Sequence, residues 1–131
     1  MRRTTRAISQ TYDRILAPAG LTGTQFSILA TLSLSGPIPI NPLARRLGMD
    51  RTSLSRTLRP LVHEELIQEA GSRDRRERPI VLTDKGRKSL QTAWPLWEAA
   101  QQTAVSVLGS EEARALLARL NALEEALRAA R

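Results

Sequence analysis

The sequence predicts a mainly α-helical fold with one small β-hairpin, and three observations carry that prediction. Apolar residues recur at three- and four-residue spacing over most of the chain. Two short β-prone runs, residues 66–70 and 79–83, flank a polar loop at 71–78. Between residues 41 and 62, two short helical segments are separated by a glycine and a capping residue. At 131 residues and 41% hydrophobic, the chain holds enough apolar surface for one modest core, so a single domain over residues 1–131 is expected.

The first helix is expected over residues 5–17, where Ile8, Tyr12, Ile15 and Leu16 share a face before Pro18-Ala19-Gly20 closes the segment. A second helix, with Thr24 as its cap, places Phe26, Leu29, Ala30 and Leu32 inward and stops at Ser35-Gly36-Pro37. Ile38-Pro39-Ile40 is too short and proline-rich for a central strand but suits the edge of a small sheet.

Residues 41–62 hold the sharpest local signal. Asn41 is a good N-cap, Pro42 suits a first helical position, and Gly48 is a natural C-cap, giving a helix of about two turns. Asp50 then caps a fourth helix whose apolar positions are Leu54, Leu58, Leu61 and Val62. Two short helices joined by a tight turn make a helix-turn-helix. Arg51, Thr52, Ser55, Arg56 and Arg59 fall away from the apolar stripe, where a recognition helix presents its groups to the DNA major groove. Pro60 removes a backbone donor and crowds the Arg56 carbonyl, which predicts a kink between Arg56 and Pro60.

A hairpin after a helix-turn-helix forms a wing. Its loop carries Arg73, Arg75, Arg76 and Arg78 with Asp74 and Glu77 interspersed, and a slim arginine tip matches the narrow, electronegative minor groove. An isolated loop of this composition would be a solvated turn; its position behind a helix-turn-helix favours DNA. Charge distribution agrees. Residues 43–88 hold 12 Lys/Arg against 7 Asp/Glu, a net of +5, and residues 1–20 hold 4 against 1, a net of +3. Residues 110–131 are balanced at 4 against 4, so polyanion binding is expected in the middle and helix pairing at the carboxyl end.

The ordered pattern Leu43-Ala44-Arg45-Arg46-Leu47-Gly48-Met49, Thr52-Ser53-Leu54-Ser55-Arg56, Leu66-Ile67, Asp74-Arg75-Arg76 and Ile80-Val81-Leu82-Thr83-Asp84-Lys85-Gly86 resembles the MarR-type winged helix-turn-helix regulators. The Asp-x-Arg wing followed by Leu-Thr-x-x-Gly is its most specific part. The resemblance extends over nearly the whole chain and implies a DNA-binding lobe at residues 21–86 between dimerisation helices at 1–20 and 87–131. It further implies that Thr52, Ser53, Ser55 and Arg56 read the major groove, that Arg76 enters the minor groove, and that Asp74 orients it. Glu65 departs from the pattern, standing where the family usually has glycine.

A long helix is expected over residues 87–108, kinked at Pro95. A last helix opens at Ser110 and aligns Ala113, Leu116, Leu117, Leu120, Leu123 and Leu127 on one face. That face needs a partner, and the resemblance implies a two-fold homodimer built from both chain ends, with Ile8, Tyr12, Leu116, Leu120, Leu123 and Leu127 as contacts and a pseudo-palindromic double-stranded DNA site. It also implies a pocket for a small aromatic effector, for which Trp94 and Trp97 are candidates; core or dimer packing is the competing use of both.

The chain has no cysteine, which excludes disulfides, thiolate metal sites and thiol-based oxidation sensing. His63 has no second metal ligand nearby, so no metal and no cofactor are expected. No nucleophile with a base, paired carboxylates or glycine-rich phosphate loop points to an enzyme. No signal peptide and no apolar run of the ~18 residues needed for a membrane span are present, so the expectation is a cytoplasmic protein, nucleoid-associated when on DNA. Together these features predict a sequence-specific transcriptional regulator, a homodimeric repressor released by an effector. The alternatives are an architectural nucleic-acid binder without sequence preference and a subunit that engages another protein through its leucine-rich tail.

Overall fold

Among the described residues of the computed structural model, 2–71 and 78–129, six α-helices and three strands follow one another. Their order is α1 (Arg2–Leu16), α2 (Gly23–Ser35), β1 (Ile38–Pro39), α3 (Ile40–Leu47), α4 (Arg51–His63), β2 (Ile67–Glu69), β3 (Pro79–Leu82), α5 (Asp84–Leu108) and α6 (Ser110–Ala129). The chain divides into two compact units, Met1–Trp97 and Glu98–Arg131. Among the described residues, no single helix is long and apolar enough to cross a membrane.

The first unit owns the core. Leu16 of α1, Ile28 and Leu29 of α2, Leu43 of α3, and Leu54 and Leu61 of α4 are fully buried. Each excludes enough apolar surface from water that truncation to alanine would cost roughly 2–5 kcal/mol. The sheet closes one side of this core in the order β1-β3-β2, all antiparallel, with Ile38 opposite Ile80 and Ile67 opposite Leu82. In β3 the alternation is strict: Ile80 and Leu82 are buried while Pro79 and Val81 are half-buried. Pro39 sits on the outer edge strand, where its missing N–H breaks no central ladder.

Local chemistry corrects several sequence-based boundaries. Helix α2 is capped by Thr22, not Thr24, because Gln25 lies three residues after Thr22 and completes a reciprocal box. The Thr22 hydroxyl accepts from Gln25 N at 3.1 Å and the Gln25 side chain accepts from Thr22 N at 3.0 Å. Helix α3 starts at Ile40, directly out of β1, so Asn41 lies inside its first turn and caps nothing. Pro42 is still within that turn, where the missing N–H has no intrahelical partner to lose. Helix α4 runs unbroken through Pro60, and α5 begins at Asp84 and runs unbroken through Pro95. Both prolines are exposed, so water can reach the carbonyls their rings leave unpaired. Val62 is 46% exposed and does not belong to the apolar stripe, which ends at Leu61.

A compact junction ties the end of α4 to β2 and the start of α5. Leu66 N–H bonds the Leu61 carbonyl at 2.9 Å, and the Leu66 carbonyl accepts from Thr83 N at 3.1 Å. The Thr83 hydroxyl donates to the Glu65 carbonyl at 2.6 Å and accepts from Gly86 N at 3.0 Å, capping α5. Lys85 Nζ donates to the Glu64 carbonyl at 2.8 Å. A Cβ on Gly86 would lie 2.1 Å from the Leu66 carbonyl oxygen, so only glycine lets α5 pass this close. The Leu-Thr-x-x-Gly motif is thus a joint.

Glu65, at the centre of this joint, has φ 63° and is the one non-glycine residue with positive φ among those described. Its Cβ is forced against the following carbonyl, a strain of roughly 1–2 kcal/mol that glycine would not feel. The departure noted from sequence therefore falls on the position where glycine fits best.

In the second unit, Gly109 (φ 85°) separates the end of α5 from α6, its N–H closing on the Val105 carbonyl at 2.7 Å. Leu116, Leu120, Leu123 and Leu127 of α6 are 45–58% exposed. A helix with this stripe uncovered loses most of the burial that would otherwise hold it in place.

Two substitutions at the joint should move stability in opposite directions. Glu65→Gly relieves the left-handed strain and should stabilise the fold by up to about 1 kcal/mol after glycine's extra chain entropy is subtracted. Gly86→Ala drives a methyl into a backbone carbonyl and should cost about 2–3 kcal/mol. Thermal melts of both variants against the wild type check the pair, and a stable Gly86→Ala protein would show that the joint yields.

Candidate nucleic-acid interface

The helix-turn-helix is assembled by two caps. Gly48 adopts φ 66°, φ space that a side chain resists, and ends α3 while Met49 N–H bonds the Ala44 carbonyl at 3.0 Å. Two residues later, Asp50 Oδ2 accepts from Ser53 N at 3.1 Å and starts α4. Hydrogen bonds from Ser53, the side-chain contribution ahead of the backbone one, hold the Asp50 carboxyl below its ordinary value of 3.8.

Helix α4 presents three faces. Leu54, Leu58 and Leu61 enter the core. Arg51, Ser55 and Arg59, spaced four apart, form one outward row, and Thr52 with Arg56 forms the next. Arg51, Thr52, Ser53, Arg56 and Arg59 are exposed, and Ser55 is half-buried. Ser53 stands apart from the arginine rows, on the side where Thr57 and Pro60 follow. All six residues singled out from sequence therefore lie on one helix, with five in adjacent rows.

The hairpin stands behind this helix. Ala70 N–H bonds the Pro79 carbonyl at 2.8 Å beyond the last ladder pair, and Arg78 Nη1 lies 4.0 Å from Glu69 Oε2 across the two strands. Both side chains are substantially exposed, so this ion pair contributes little to stability. Arg73, Asp74, Arg75 and Arg76 lie outside the described residues.

The third face of α4 borders a cleft of about 790 Å³ that periodicity could not reveal. Ile8, Tyr12 and Asp13 of α1, Thr22 to Ser27 at the start of α2, Leu47 and Met49, Thr57 and Pro60 of α4, and Trp97 of α5 line it. Ile8 and Tyr12, expected at a dimer contact, thus border this cleft in the single chain. Trp97 also lines it, and Trp94 packs beside Trp97 with ring centroids 5.5 Å apart. Phe26 stacks on Trp97 at 5.6 Å and 25°, and meets Trp94 at 5.8 Å. The signal available in the sequence was scarcity: of the chain's four aromatic residues, Tyr12, Phe26 and Trp97 line this cleft and Trp94 packs against Phe26 and Trp97. His63 is exposed on α4, and among the described residues no group of three or more His, Cys, Asp or Glu is placed to hold a metal ion.

Known proteins share this fold. A model of the MarR family matches residues 21–77. The M. tuberculosis transcriptional regulator MosR, solved in complex with DNA, is 41% identical with a TM-score of 0.83 over 97% of this chain and 94% of its own. The transcriptional repressor CouR, bound to a 23-mer DNA duplex, is 29% identical with a TM-score of 0.84 over 94% of this chain and 88% of its own. CouR is also solved bound to p-coumaroyl-CoA. The HTH-type transcriptional regulator YwoH of Bacillus subtilis (strain 168) is 28% identical over 86 residues, a match spanning 66% of this chain and less than two thirds, 63%, of that protein.

The Asp50 cap should give α4 an acid-sensitive start. Its folded-state value is depressed, so its stabilisation is complete above the unfolded value of 3.8 and is lost as pH falls through the folded one. Asp50→Asn keeps an acceptor for Ser53 N–H without titrating. The melting-temperature gap between wild type and Asp50→Asn should accordingly close as pH is lowered from about 6 to about 3. A gap that stays constant would show that the carboxylate's charge is irrelevant to the cap.

Proposed function

The chain belongs to the MarR family, and from that premise we propose that it is a homodimeric, sequence-specific DNA-binding transcriptional repressor released by a small-molecule effector. The observation that carries this is the outward double row of Arg51, Thr52, Ser55, Arg56 and Arg59 on a capped helix beside a β-hairpin. Guanidinium forks on that surface pair with guanine edges and phosphates, and the short hydroxyls approach bases closely. Ser53 and Arg78 extend the surface at its margins. Arg73, Arg75 and Arg76, with Asp74 orienting Arg76, supply the minor-groove contact implied by the wing motif.

Two-fold pairing follows from what α6 leaves uncovered. In the second unit Leu116, Leu120, Leu123 and Leu127, and in the first unit Ile8, which is 54% exposed, with Tyr12, are the residues we assign to contacts with a second copy. Such a dimer sets two recognition helices on successive major grooves, about 10 base pairs apart. The cleft beside α4 is the effector site, with Trp97 in its wall and Trp94 behind it. A ligand that binds one dimer geometry better than the DNA-bound one releases the operator by that difference in affinity. The function needs no catalysis and places the protein in the cytoplasm with the chromosome.

Selection of bound sequences from a random DNA pool tests the reading. A two-fold site with half-sites one helical turn apart, bound about 10³-fold more tightly than random DNA, is expected. Arg56→Ala should weaken that site by roughly 10- to 100-fold and relax preference at one base position, while Arg76→Ala weakens binding and leaves the fold intact. Binding without sequence preference that vanishes with salt would instead identify an architectural protein.

The dimer has its own check. Leu120→Glu places a charge in the pairing stripe and should yield a monomer by sedimentation, with operator affinity falling more than about tenfold. A dimeric Leu120→Glu protein would move the interface elsewhere.

A further inference from the structure

The cleft beside α4 carries a charge signature opposite to that of the chain around it. The protein has a net charge of +7, yet among the described residues no Lys, Arg or His lines the cleft, and the one acidic residue among them that does is Asp13. Asp13 is held in place, since Gly23 N–H donates to its Oδ1 at 2.8 Å across the gap between α1 and α2. Three aromatic residues, Tyr12, Phe26 and Trp97, line the same space, and Trp94 packs against Phe26 and Trp97 outside the lining. Ring faces carry negative electrostatic potential and attract cations, and flat ligands stack on them. A carboxylate entering this space would meet Asp13, with no cation among the described lining residues to offset it.

We propose that the cleft takes a flat aromatic cation, with its ring against Phe26 and Trp97 and its positive group on the Asp13 carboxylate. This rests on the effector reading above and specifies its chemistry. The seat also explains how occupancy reaches DNA contacts within one chain. Thr57 and Pro60 border the cleft from α4, and the Thr57 hydroxyl donates to the Ser53 carbonyl at 3.0 Å. Leu47 and Met49 border it from the turn that leads into the Asp50 cap. A ligand pressed against these four residues acts on both the start and the middle of the recognition helix.

Equilibrium dialysis of the full-length protein against three probes sharing a naphthalene ring tests the charge assignment. The ring carries an aminomethyl group, a hydroxymethyl group or a carboxylate. The aminomethyl cation should bind at least about tenfold more tightly than the carboxylate, with the alcohol between them. In Asp13→Asn the amide oxygen still accepts from Gly23 N–H, so the melting temperature should hold while the cation's advantage over the alcohol shrinks to within about threefold. Equal binding of the three, tighter binding of the carboxylate, or no binding of any overturns the proposal, and the wild-type ranking decides this even if the variant folds poorly. Operator binding is measured in parallel without probe. A lost ranking with intact operator binding removes the aromatic-cation assignment alone, whereas absent operator specificity removes the regulator reading and leaves the ranking as evidence about the cleft.

Discussion

The Leu66 carbonyl is the point on which the DNA-facing architecture depends. It accepts from Thr83 N–H, it lies against Gly86 with no room for a methyl group, and it follows directly on the strained Glu65. Three elements meet there: the end of the recognition helix, the first wing strand and the start of the long helix α5. Because Thr83 bonds both the Glu65 carbonyl and the Gly86 amide, the angle at which the hairpin leaves α4 is coupled to the direction in which α5 departs. Lys85, bonded to the Glu64 carbonyl, adds a cation at the carboxyl end of α4, where the helix dipole favours it. On the DNA-binding role proposed above, α4 and the hairpin could address one DNA segment only if that angle is fixed.

From this joint outward, α4 divides its circumference among three tasks. Its leucines anchor it in the core, its arginine rows face solvent, and Thr57 with Pro60 faces the cleft. Exposed Pro60 is consistent with this division. A proline on the solvent side leaves the Arg56 carbonyl open to water, while the buried side keeps its leucines in register. The core face and the cleft face of α4 are thereby different sides of the same helix, so a ligand in the cleft would press on α4 without first dismantling the core.

Much of this was legible in the sequence because it is encoded locally. Gly48 and Asp50 announce their roles by residue type, and Leu54, Leu58 and Leu61 reveal the buried face by spacing. The hairpin strands appear where two apolar runs flank a polar loop. The errors also have local causes. Thr22 and Thr24 are both capping residue types at the start of this segment, and the position of Gln25, three residues after Thr22, selects Thr22 as the cap and leaves Thr24 inside the helix. At Pro60 and Pro95 the helices continue as single elements, with both rings exposed. The cleft was out of reach for a different reason: Asp13, Phe26, Thr57 and Trp97 are far apart in the chain, and only the fold makes them neighbours.

Concentrating every aromatic ring at one place has an optical consequence. Trp94 and Trp97, with ring centroids 5.5 Å apart, are close enough for their excited states to couple. Tyr12 stands along the same wall, so the near-ultraviolet absorption, fluorescence and circular dichroism of the polypeptide arise from a single neighbourhood. The arginine face of α4 and the leucine stripe of α6 contribute no chromophore beyond the peptide bond. The molecule therefore carries an intrinsic reporter beside the cleft, where Trp97 lines the space and Trp94, partly exposed, packs against it.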